Sequence, residues 1–130
     1  MVKSENVEHV RKIADDLEAI AEGRAYIDSD SLDMVIVEDA ADVPDDAELA
    51  GMWEYFDDML DIDFILDSEF EFKAARICVA WGGPSVYVDT YAHEVALYWW
   101  NEYARADLAG YVCDAVDEFA AELFAMKAGR

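Results

Sequence analysis

The chain is short of cations, with nine Lys and Arg against 31 Asp and Glu. It has only two cysteines, and no apolar run longer than the six residues from Val95 to Trp100. Each shortage excludes something. Neutralisation of phosphate by Lys and Arg supplies most nucleic-acid affinity, so a net charge of −22 argues against direct binding of DNA or RNA. The same charge disfavours anionic membrane surfaces. Six apolar residues fall far short of the ~20 that a membrane helix needs. The opening stretch, 1–12, lacks the apolar middle of a signal peptide, so the chain reads as cytoplasmic. In that reducing setting both cysteines are expected as free thiols. Disorder is disfavoured as well: 55% of residues are hydrophobic, with four Trp, seven Tyr and six Phe. At 130 residues the expectation is one domain, 1–130, with a core that needs neither metal nor disulfide.

The acid is segregated. After Arg24 no Lys or Arg appears until Lys73, and 25–72 holds 17 of the 31 acids, leaving 14 acids and all nine bases for the rest. Generic solubility does not require this clustering, and self-repulsion opposes it.

Hydrophobic periodicity gives the coarse architecture. Val7, Val10, Ile13, Leu17 and Ile20 recur at helical spacing behind Ser4, and Gly23 suits the position after a helix end. Met34 to Val37 fits a short strand or a helical turn equally well. Asp45 with Glu48 resembles a capping box, and Leu49, Met52, Trp53, Phe56 and Met59 predict a second helix at about 46–60. On its face Glu54 and Asp58 would stand four apart, with Asp61 three further on. From Ile62 the period becomes two, predicting a strand that carries Asp63, Asp67, Glu69 and Glu71 on one side. Further strands are expected at 75–81, 85–89 and 95–100, turning at Gly82-Gly83-Pro84 and at Thr90 to His93. A strand through Trp99-Trp100 would point the two indoles to opposite faces. A last helix is predicted at about 107–127, with Val112, Ala115, Val116, Phe119, Leu123 and Met126 buried. The fold class read from this pattern is α+β: a three- or four-stranded antiparallel sheet with about three helices packed on it.

The chain shows little catalytic vocabulary. Among 31 acids, a carboxylate pair carries no information about hydrolysis. Asp28 to Asp33 begins like a calcium loop, but Leu32 stands at a ligand position and Asp33 where the turn glycine belongs. Cys78, Cys113, His9 and His93 lack zinc spacing, and the thiols read as structural. Gly82-Gly83 before a proline reads as a turn, not a phosphate loop. The expectation is no enzyme, no cofactor and no metal.

What remains is a surface for a basic protein. Acids on alternate strand positions lie ~6.6 Å apart, near the charge spacing of one DNA strand. At duplex density, about one charge per ~1.7 Å of axis, such a segment matches roughly eight to nine base pairs. The residues expected to carry it are Asp45, Asp46, Glu48, Glu54, Asp57, Asp58, Asp61, Asp63, Asp67, Glu69 and Glu71.

Asp61 to Phe64, Val79 to Thr90 and Leu97 to Trp100 resemble small acidic proteins carried by phages and mobile elements of gut-type bacteria, over about 61–125. In size and charge the chain is similar to anti-CRISPR and antirestriction DNA mimics. The resemblance implies an inhibitor in the bacterial cytoplasm that occupies the nucleic-acid groove of a CRISPR effector complex or restriction enzyme; it transfers no catalytic residue. The alternatives are an acidic adaptor that binds a basic protein without imitating DNA, and a halophile's acidic surface, whose acid would be spread evenly.

Overall fold

The computed structural model describes residues 4–81 and 83–129. Helix α1 (Ser4–Ala21) buries Val10, Ile13, Leu17 and Ile20 of the expected stripe, while Val7 is exposed. Gly23 ends it at φ 73°: its N–H reaches the Ile20 carbonyl at 3.1 Å, and that of Arg24 reaches Ala19 at 2.8 Å. This is a Schellman closure, for which a residue without Cβ is best suited.

The chain then builds a small antiparallel sheet from β1 (Ala25–Ile27), β2 (Met34–Ile36) and β3 (Glu48–Leu49), in the order β2-β1-β3. A one-turn helix, α2 (Met52–Tyr55), leads into β4 (Asp61–Leu66). Strands β5 (Phe72–Ala80), β6 (Ser85–Asp89), β7 (Glu94–Trp99) and β8 (Glu102–Asp107) complete a five-stranded antiparallel meander. Helix α3 (Gly110–Gly129) closes the fold. The class is α+β with three α-helices, as read from the pattern, but the large sheet has five strands and a second sheet is present.

Helices α1 and α3 touch each other and cover one face of the large sheet, over Ile77, Val86, Val88, Val95, Leu97, Ala104 and Ala106. Phe124 of α3 meets Phe64 and Phe72 at 5.2 and 6.2 Å between ring centroids. Across the other face runs the register Asp63, Arg76, Asp89, Glu94, Asp107. There the Arg76 guanidinium lies 3.7 Å over the Tyr87 ring, and Arg105 bonds Glu94 at 2.7 Å and also Asp107. This face is therefore of mixed charge.

Several expectations are corrected. The helix predicted at 46–60 is only Met52–Tyr55. Residues 48 and 49 pair with Ile27 and Tyr26, and the Ala50 N–H bonds the Ala25 carbonyl at 3.0 Å, so the backbone needed for a first helical turn is already in a sheet. The cap is Gly51, whose N–H bonds Glu54 Oε1 at 2.6 Å, and not Asp45 with Glu48. With the helix ending at Tyr55, Glu54, Asp58 and Asp61 form no helical row, and Asp61 opens a strand. The strand expected through Glu71 stops at Leu66, because Asp67 folds the chain back with its N–H on the Glu71 carbonyl at 2.9 Å. Trp100 leaves β7 for a turn at φ 58°, so the two indoles meet edge-on at 6.2 Å rather than facing apart. Residues 102–107 form β8, which delays α3 to Gly110, and Met126 is exposed while Ala120 is buried in the core. The turn expected at 82–84 falls partly on Gly82, outside the described residues.

Three hairpin turns share one construction. Asp28 accepts the N–H groups of Asp30 and Ser31, Asp67 those of Glu69 and Glu71, and Asp89 those of Tyr91 and Ala92, all at 2.8–3.0 Å. Each turn also has a left-handed residue: Leu32 (φ 65°), Phe70 (φ 64°) and His93 (φ 57°). Asp side chains mimic a turn's own hydrogen bonds, and the left-handed position usually holds Gly or Asn. A bulky side chain there costs about 1–2 kcal/mol. Replacing Phe70, 79% exposed, by Asn is therefore expected to raise stability by about 0.5–1 kcal/mol. Chemical denaturation measures this; a lower midpoint at unchanged m-value would show that the ring makes a stabilising contact.

Candidate protein-docking surface

Sixteen of the 17 acids in 25–72 are exposed, and Asp28 is half-buried. Four do local work: Asp28, Asp39, Glu54 and Asp67 accept backbone N–H groups. Those bonds, from Ser31 and then Asp30, hold the Asp28 carboxyl below its ordinary value. The other 13 accept no hydrogen bond among the described residues. The described ion pairs, Lys12–Asp16, Arg24–Glu18, Arg24–Glu22, Arg105–Glu94 and Arg105–Asp107, all lie outside this segment.

The acids expected to form the site are spread over consecutive parts of the chain, from the small sheet to the β4–β5 tip. Asp45 and Asp46 lie in the connection before β3, with Asp46 on the wall of a hollow beside β1. Glu48, Glu54 and Asp57 are brought together around a neighbouring hollow, where Asp33 joins them. Asp58 follows in the turn after α2. Asp61 and Asp63 alternate with half-buried Ile62 and Phe64 and so stand on the helix-free face of edge strand β4. Asp67, Glu69 and Glu71 are held together at the β4–β5 tip by the Asp67 side chain. Along the chain the charge follows the small sheet, α2 and the β4 edge in turn.

Exposed apolar side chains, which periodicity misread, punctuate this acid. Leu49 was expected on a buried helical stripe and Phe70 in a strand; both are exposed, as are Leu32 and Leu60. Trp53, also read as a core residue, is a fixed wall. Its Nε1–H donates to Glu122 at 2.7 Å, and its ring meets Phe119 edge-on at 4.8 Å. Asp33 and Leu32 were weighed only as parts of a calcium loop and left out of the expected site, although Asp28 as a turn-former two residues after Tyr26 was a usable signal.

Among the described residues no group of three or more His, Cys, Asp and Glu could hold a metal ion. Burial pushes the Cys113 thiol up to about 11, and Cys78 is likewise buried and free. Asp117 on α3 has an Oδ1 without a partner, and the Thr90 hydroxyl already has the Ala75 carbonyl at 3.3 Å. Burial raises the Asp117 carboxyl above 3.8, reinforced by Asp114 and opposed by Thr90 and His93. A raised folded value means that this group's contribution is most favourable below 3.8 and is lost as pH rises through the folded value. Asp117→Asn is accordingly expected to stabilise the fold by about 1 kcal/mol at neutral pH, with the gain shrinking on acidification. Melting curves across pH check it; a gain that grows toward acid would reverse the assignment.

No helix among the described residues is long and apolar enough to cross a membrane. No family model, curated protein or solved structure matches the chain.

Proposed function

We propose that this chain inhibits a nucleic-acid-binding bacterial defence complex, a CRISPR effector or a restriction enzyme, by holding carboxylates where that complex binds the phosphates of its duplex. It acts in the cytoplasm of the bacterial host, without catalysis, metal or cofactor. The observation that carries the reading is the set of 13 carboxylates in 25–72 that nothing among the described residues bonds. Such charges repel one another and lower stability, a cost that a cationic groove would offset. Association would be steered by charge and weaken steeply with salt.

The test is competition. Saturating protein is expected to keep the target complex from shifting its cognate duplex in a gel, with potency falling as salt rises. A target that is fully occupied by this protein and still binds DNA would overturn competition. That outcome favours the second reading, an acidic adaptor for a basic protein. It has an observation of its own, since exposed Leu32, Leu49, Leu60 and Phe70 among the acids are side chains that phosphate imitation does not need.

A further inference from the structure

We infer that the hollow between the small sheet and α2 docks a basic amphipathic segment of a partner protein, a run of Lys and Arg that carries at least one large apolar side chain. The inference rests on the reading of the acidic segment as a surface for a basic protein, and it names what that protein presents.

Two hollows of about 550 and 560 Å³ adjoin one another and share Ile27, Leu32 and Glu48. Each lies within the size range of sites that enclose ligand groups. Half of the residues that line the first are apolar, namely Ile27, Leu32, Met34 and Trp53, and the other half are acidic. Trp53 cannot swing away freely, because Glu122 accepts from its indole and Phe119 packs against its ring. A rigid aromatic wall is what an inserted side chain needs, since little ordering entropy is then lost on binding.

Leu32 divides the two hollows and is unfavourable twice over in the free protein. It is 74% exposed, and its φ of 65° belongs to the left-handed region, where Asn or Gly fits better. A partner's apolar side chain laid against it would remove the first of these costs.

Charge selects the partner. Asp33, Glu48, Glu54 and Asp57 rim the first hollow, and no cation occurs anywhere in 25–72. An apolar side chain flanked by acidic residues would meet like charge there; one flanked by Lys or Arg would be attracted. A bare polycation would satisfy the rim and leave the apolar lining wet. The complement to both is a basic segment with an apolar anchor.

The test uses the full chain and two synthetic peptides in calorimetric titrations at low and high salt. One is a Lys/Arg peptide with a central Leu-Leu pair, and the other is its charge-matched control with Ser-Ser. The Leu-Leu peptide is expected to bind about tenfold tighter or more, and the preference is expected to survive high salt that weakens both. In Leu32→Asn, whose side chain suits the left-handed backbone, the preference should fall to near one while the control peptide binds as before. Equal affinity for both peptides, or a preference unchanged in Leu32→Asn, overturns the inference. If the peptides are discriminated but the target's DNA binding is untouched, DNA competition fails and this docking site stands. If competition holds and the peptides are not discriminated, the docking site alone fails.

Discussion

Changing Asp57, Asp58 and Asp61 together to Lys is expected to lower inhibitory potency about a hundredfold or more. These residues lie where the chain passes from α2 to the exposed edge strand β4, and all three are exposed. Exposed ion pairs are worth up to about 1 kcal/mol each. Turning attraction into repulsion at three of them amounts to roughly 3 kcal/mol, and 1.4 kcal/mol is a factor of ten. The matched control is Glu8, Asp114 and Glu118 to Lys, exposed acids on α1 and α3 with the same change in net charge. Glu122 is left out of the control because it holds the Trp53 indole. Dose–response curves against the target complex should separate the two triples clearly at low salt and less so at high salt. Equal losses would mean that only total charge matters and that the acid of 25–72 forms no site.

The second large effect concerns stability. Phe56→Ala is expected to cost about 3–5 kcal/mol, the range for truncating a buried aromatic residue. Phe56 is 2% exposed, stacked on Phe119 at 5.2 Å and edge-on to Tyr55 at 5.3 Å. Helix α2 has four residues, far fewer than a helix needs to persist alone, so buried Met52 and Phe56 fix it to α3. A thermal melt should shift down by roughly 10–20 °C, and Trp53 emission should report looser packing against Phe119. An unchanged melt would show that the residues around α2 are held by something other than this aromatic stack.

Helix α1 and the meander were legible because their signals are local and redundant: a buried stripe, a left-handed glycine, alternation and recognisable turns. What failed has particular causes. Leu49, Met52, Trp53, Phe56 and Met59 do match a helix, yet 48–50 pair with β1, a tertiary partner that no window over 46–60 contains. Strand β8 was hidden because its inward residues are Ala104 and Ala106, whose weak hydrophobic signal merges with the following helix. Phe70 alternates correctly with its neighbours but sits in a left-handed turn set by the Asp67 carboxylate. For the site, the amount and location of charge were legible in the sequence. The hollow beside Trp53 was not, since Ile27, Asp33 and Glu48 come together only through the pairing of β1 with β2 and β3.

The order of the large sheet bears on how the chain folds while it is being made. Strands β4 to β8 pair only with their chain neighbours, so each hairpin is able to close as soon as its second strand emerges from the ribosome. Helix α1 is the reverse case. It emerges before every strand, but its apolar stripe is covered by β7, β8 and α3, which emerge after β1 to β6. Until residue 94 has been added none of these partners has emerged, and α1 lacks that cover while 22–93 are made.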